Sequence, residues 1–132
     1  MEKRKYNPVG WFEIYVQDLE KAKKFYSEVF KFEFEDLKNP DGDWDGMKMS
    51  AFPAPKEEVY GAPGALVQMD GVPSGGNSTI VYFSSADCSV EEGRVETAGG
   101  KIHKSKLSIG EHGFMSLAFD VDGNLFGIHS MK

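Results

Sequence analysis

A strand-and-helix unit that occurs twice constrains this chain more than any other feature. Residues 9–16 alternate, with Phe12, Ile14 and Val16 on one face and Trp11, Glu13 and Tyr15 on the other. That is the period of a strand whose two faces meet different surroundings. Asp18 follows as a helix N-cap, and Leu19, Ala22, Phe25, Tyr26, Val29 and Phe30 then recur at helical spacing. The order restarts at residues 79–84, where Val81 and Phe83 oppose Ile80, Tyr82 and Ser84, and Asp87 stands where Asp18 stood. The offset is 87 − 18 = 69, which matches Trp11 to Ile80 and Glu13 to Tyr82.

Each unit continues in the same way. In the first, residues 31–35 read as a short strand, Asn39-Pro40-Asp41-Gly42-Asp43 is turn chemistry, and residues 47–52 and 64–69 supply two more strands. In the second, Ser89 and Glu92 have capping-box spacing, which predicts a helix over 90–98 ended by Gly99-Gly100. Strands follow at 101–104, 114–119 and 124–130, the last two joined by a hairpin at Asp120-Val121-Asp122-Gly123. The expected organisation is one domain, with module one at 8–70, a linker at 71–78 and module two at 79–130.

A chain of 132 residues can bury a core without disulfides or structural metal, and its single cysteine, Cys88, has no internal partner. Cys88 begins the second helix and is expected to be a packing residue. No apolar run is long enough to cross a bilayer, so the expected location is the cytoplasm. The net charge of −6, with lysines interleaved among acids, argues against nucleic acid as a partner. It favours cationic ligands mildly.

The strand ending in Val16-Gln17-Asp18, the Phe25-Tyr26 pair, Ala98-Gly99-Gly100-Lys101 and Asp122-Gly123-Asn124-Leu125-Phe126-Gly127-Ile128 together resemble the vicinal oxygen chelate superfamily. That group includes glyoxalase I, bleomycin-resistance proteins and extradiol dioxygenases. The resemblance spans about residues 8 to 129. It implies an α+β fold of two tandem βαβββ modules forming an open eight-stranded half-barrel around a cavity, commonly in a homodimer. Such folds host several chemistries as well as binding proteins with none.

Metal-using members place a ligand on the first and last strand of each module. Carried onto this chain, the resemblance puts those positions at Trp11, Ile80, Gly127 and a residue near Leu66 or Gln68. No imidazole, carboxylate or thiolate stands at any of them, so no cofactor is expected by the family's usual mechanism. A displaced divalent metal, or an acid/base pair, is conceivable from Glu13 and His129, each two residues beyond an empty position. The expected ligand cavity is aromatic, with Trp11, Tyr15, Gln68, Tyr82 and His112 on its wall or at its mouth and methionines such as Met115 beside them. Trp44 is a candidate lid or dimer contact, and His103 is expected at the surface.

Three readings follow. The first is a metal-free, dimeric small-molecule-binding protein of the bleomycin-resistance type. The second is a glyoxalase-like lyase or isomerase using Glu13 and His129, with or without a divalent metal, and the third is an interaction module that has lost its site.

Overall fold

The computed structural model describes residues 7, 9–38, 46–57, 59–77 and 79–132. Trp44 and the turn at 39–43 lie outside the described residues. The first module runs β1 (Phe12–Tyr15), α1 (Leu19–Phe30), β2 (Glu35–Leu37), β3 (Lys48–Ala51) and β4 (Gly64–Gln68). The second runs β5 (Val81–Ser84), α2 (Cys88–Val95), β6 (Lys101–Ser108), a 3-10 turn at Gly110–His112, β7 (Phe114–Phe119) and β8 (Leu125–Ser130).

The sheet orders are β1-β4-β3-β2 and β5-β8-β7-β6, with β1/β4 and β5/β8 parallel and the other pairs antiparallel. This is the α+β architecture of two tandem modules. Among the described residues eight strands form two separate four-stranded sheets, and β1 and β5 are each an edge strand of their own sheet.

Local chemistry explains where the elements depart from the sequence pattern. The second helix begins at Cys88, because Asp87 is the N-cap, accepting from Ser89 N at 3.0 Å. Glu92 does not close a capping box with Ser89; its carboxylate accepts from Lys106 N on β6 at 2.6 Å. Lys106 Nζ also reaches Asp87 at 2.9 Å and, with the Ser89 hydrogen bonds, holds the Asp87 carboxyl down to about 2. Strand β2 starts at Glu35 because Lys31 adopts a left-handed φ of 62° at the end of α1. Phe32 and Phe34 beyond it turn into the core.

The core lies between the helices and both sheets. Phe25 and Tyr26 of α1, Phe52, Phe83 of β5 and Phe126 of β8 pack as one aromatic cluster joining the modules. Cys88 is fully buried. Tyr26 is wholly enclosed, and its hydroxyl donates to Asp120 Oδ2 at 2.8 Å. Asp120 also accepts from the backbone N–H groups of Asp122 and Asn124 and from Asn124 Nδ2. Asn124 Nδ2 in turn donates to Tyr15 O at 3.0 Å, tying the turn of module two to β1. Burial and the facing Asp120 carboxylate raise the Tyr26 pKa well above 10.0, so the phenol stays the donor.

Asp122 stands differently. Its Oδ1 accepts from Gln17 N at 3.0 Å, but its Oδ2 is buried without a partner. Burial raises its carboxyl above the ordinary 3.8, outweighing the Gln17 N–H.

Two stability outcomes are expected. Tyr26→Phe removes a donor from a buried carboxylate and should lower stability by about 2 kcal/mol, read from urea unfolding. Asp122→Asn keeps the acceptor for Gln17 N and removes an unpartnered charge, and should raise the melting temperature by about 2 °C at pH 7. Because the folded-state pKa of Asp122 is raised, wild type carries that cost above it and sheds it as pH falls toward 3.8. The gain from Asp122→Asn should shrink over the same range in melting curves.

Candidate functional site

The register of β1 against β4 places Glu13 beside Ala65 and Tyr15 beside Val67, so these share the face turned away from the helices. On that face Glu13 is gripped from both sides along its own strand. Trp11 Nε1 donates to Glu13 Oε2 at 3.1 Å, and Tyr15 OH donates to Glu13 Oε1 at 3.0 Å. Side chains two residues apart stand about 7 Å apart at their Cα atoms, a span that an indole and a phenol can bridge to a central carboxylate. The hydrogen bond to Glu13 raises the Tyr15 pKa above 10.0, with burial and the Glu13 charge adding to it.

Trp11, Glu13 and Tyr15 line a cavity of about 450 Å³ along the free edge of β1. Its other walls come from Ser74 and Asn77 in the linker, Thr79 and Val81 at the start of β5, and Asn124, Leu125 and Phe126 at the start of β8. The volume lies in the range of small-molecule sites, and most of the wall is apolar or aromatic.

A second cavity of about 770 Å³ opens over module two, lined by Tyr82, Ser84, Ile109, Met115, His129 and Met131 among others, and it meets the first at Val9. Tyr82 lies across Gly127, where a Cβ would collide with its ring, and its hydroxyl points to Met115 Sδ at 3.9 Å. His129 Nε2 lies 2.7 Å from His112 O. A carbonyl can only accept, so Nε2 is the donor in this contact.

These positions revise the expected site. Trp11 and Tyr15 line the first cavity and Tyr82 the second, so the single aromatic cavity is divided in two. Glu13 and His129 likewise fall in different cavities and do not form a pair. Gln68 leaves the wall altogether. It lies on the helix-facing side of β4, where its Oε1 accepts from Leu19 N at 2.8 Å and completes the start of α1. His112 contributes its carbonyl, while its side chain is largely exposed beside Glu111. His103 is exposed and packs edge-on against Phe119.

Register also settles the remaining metal-ligand position. Glu13 pairs with Ala65 as its counterpart Tyr82 pairs with Gly127, so the equivalent of Gly127 is Ala65 rather than Leu66 or Gln68. Trp11, Ala65, Ile80 and Gly127 offer a divalent ion no donor suited to it. Among the described residues no three His, Cys, Asp or Glu side chains converge to hold a metal ion. The donor set does not fit the metal centre that the family resemblance implies.

The chain belongs to the Glyoxalase/Bleomycin resistance protein/Dioxygenase superfamily, whose family model matches residues 9–127. A glyoxylase-like domain-containing protein of Didymella fabae is 28% identical over 104 residues, covering 79% of this chain and 77% of that relative. TnmS3, an antibiotic-binding protein from Streptomyces sp. CB03234, superposes with a TM-score of 0.65 at 25% identity, covering 97% of this chain and 98% of its own. Glyoxalase I from Zea mays superposes with a TM-score of 0.70 at 20% identity over 91% of this chain. This chain spans 43% of that maize enzyme, so that likeness is one of fold. No helix among the described residues is long and apolar enough to cross a membrane.

The Trp11–Glu13–Tyr15 contacts give a direct spectroscopic expectation. The ionisation isolated by subtracting a Tyr15→Phe titration from wild type should have a midpoint above 10.0, and Glu13→Gln should bring it down. Equal midpoints in wild type and Glu13→Gln would show that the phenol does not donate to Glu13.

Proposed function

We propose that this protein binds a small molecule in the aromatic cavity along β1, without a metal centre. The observation that carries this reading is the tethering of Glu13. The one carboxylate on that face of β1, itself exposed to solvent, is held by an indole and a phenol at the open side of a cavity of ligand size, while the four metal-ligand positions carry Trp, Ala, Ile and Gly. The antibiotic-binding protein TnmS3, similar over nearly its whole length, supports a binding role on this fold. A lyase or isomerase working through Glu13 and His129 is less well supported, since the two residues line different cavities.

A homodimer belongs to this reading. Val9, Tyr60 and Met131, with 59%, 90% and 65% of their surfaces exposed, border the second cavity and offer an apolar surface for a second copy to cover. Sedimentation should give about twice the mass of the 14.7 kDa chain.

Binding can be followed through Trp11 in a Trp44→Phe background, where it is the remaining tryptophan. Flat aromatic compounds should quench it saturably. The best of them, at one hundred times its Kd, should stabilise the fold by about 2.7 kcal/mol. Trp11→Ala should weaken binding about tenfold. Exhaustive dialysis against a chelator should leave affinity unchanged; affinity that disappears with the chelator and returns with Zn or Ni would overturn the metal-free reading.

A further inference from the structure

We infer that the cavity along β1 selects an organic cation, a protonated amine carried on a flat apolar body, with Glu13 as the counter-charge. This deepens the ligand-binding reading and rests on it.

Among the described residues, the Glu13 carboxylate receives one hydrogen bond on each oxygen, from Trp11 Nε1 and Tyr15 OH. A carboxylate oxygen accepts two, so one acceptor site per oxygen is left for a ligand. Both tethers are neutral donors, which fix the carboxylate in place without cancelling its charge. Among the described residues lining the cavity there is no Lys, Arg or His, and the remaining polar groups are hydroxyls and amides such as Ser74, Asn77 and Asn124. The site thus presents a held anion with no cation among the described residues that line the cavity, in a chain of net charge −6.

The aromatic groups divide the work. Trp11 and Tyr15 direct their donating edges at the carboxylate, so the charge of the ligand is met by Glu13 and not by a ring face. The ring faces and the apolar wall at Val81, Leu125 and Phe126 remain for the ligand body. An anionic ligand of the same shape would face an uncompensated carboxylate and be rejected.

The test compares three probes of one shape: 1-naphthylmethylamine, 1-naphthylmethanol and 1-naphthoic acid, titrated by calorimetry at pH 7 and low salt. The amine should bind about tenfold more tightly than the alcohol, with the acid weakest, and the gap should narrow in 0.5 M salt. Glu13→Gln should bring the amine down to the level of the alcohol in the same variant. Glu13→Asp, which keeps the charge, should retain part of the preference. Circular dichroism confirms that each variant is folded. An alcohol that binds as well as the amine to wild type, or an amine preference that survives Glu13→Gln, would overturn the cation inference and leave small-molecule binding standing. Failure of all three probes to bind would overturn both.

Discussion

The hydrogen bond between Tyr26 and Asp120 ties the two modules together at the edge of the aromatic core that joins them. It joins α1 of the first module to the β7–β8 turn of the second, with both partners buried. A buried carboxylate is costly unless its oxygens are occupied, and here Tyr26, Asn124 and two backbone N–H groups occupy them. The same network extends through Asn124 to the carbonyl of Tyr15. The group that closes the module interface therefore also fixes the end of the strand carrying Glu13.

Because β1 and β5 are edge strands that do not pair with each other, the space between the modules is not sealed by a ladder of backbone hydrogen bonds. Asn124 takes one edge carbonyl of β1, and Asp122 takes the N–H of Gln17 just beyond the strand. The rest of that edge borders the cavity. Glycine sets the second cavity's shape from within the sheet: Gly127 has no side chain, so the Tyr82 ring lies flat over β8. In module one the comparable pairing falls on the opposite face, where the Phe12 ring covers Gly64 and faces the core. One residue of displacement in the ring–glycine pair puts one aromatic against the core and the other on the wall of the second cavity.

Much of the fold was legible because alternation and helical spacing are local consequences of burial. Phe12, Ile14 and Phe83 faced the helices as their pattern required, and Leu19, Ala22, Phe25, Tyr26 and Val29 formed the buried stripe of α1. Where local signals had to compete with distant partners, they lost. Ser89 and Glu92 had the spacing of a capping box, but Glu92 met the backbone of Lys106, fourteen residues away, and Asp87 became the cap. Gln68 sat in a strand whose far side faced a ligand space, yet the open helix start at Leu19 N lay on its own side.

The two-module plan, the face on which Trp11, Glu13 and Tyr15 stand, and the absence of donor side chains at Trp11, Ile80 and Gly127 are all readable along the linear chain. Each follows from residue identity and a period of two, which need no knowledge of what lies across the fold. That Glu13 is tethered by its chain neighbours, that Glu13 and His129 border different cavities, and that Ala65 is the counterpart of Gly127 emerge once the strands are paired and the sheets packed. Those facts depend on strand register and on how two sheets meet. Register is set by contacts between segments some 50 residues apart, such as Tyr15 with Val67 and Ser84 with His129, and no local pattern encodes it.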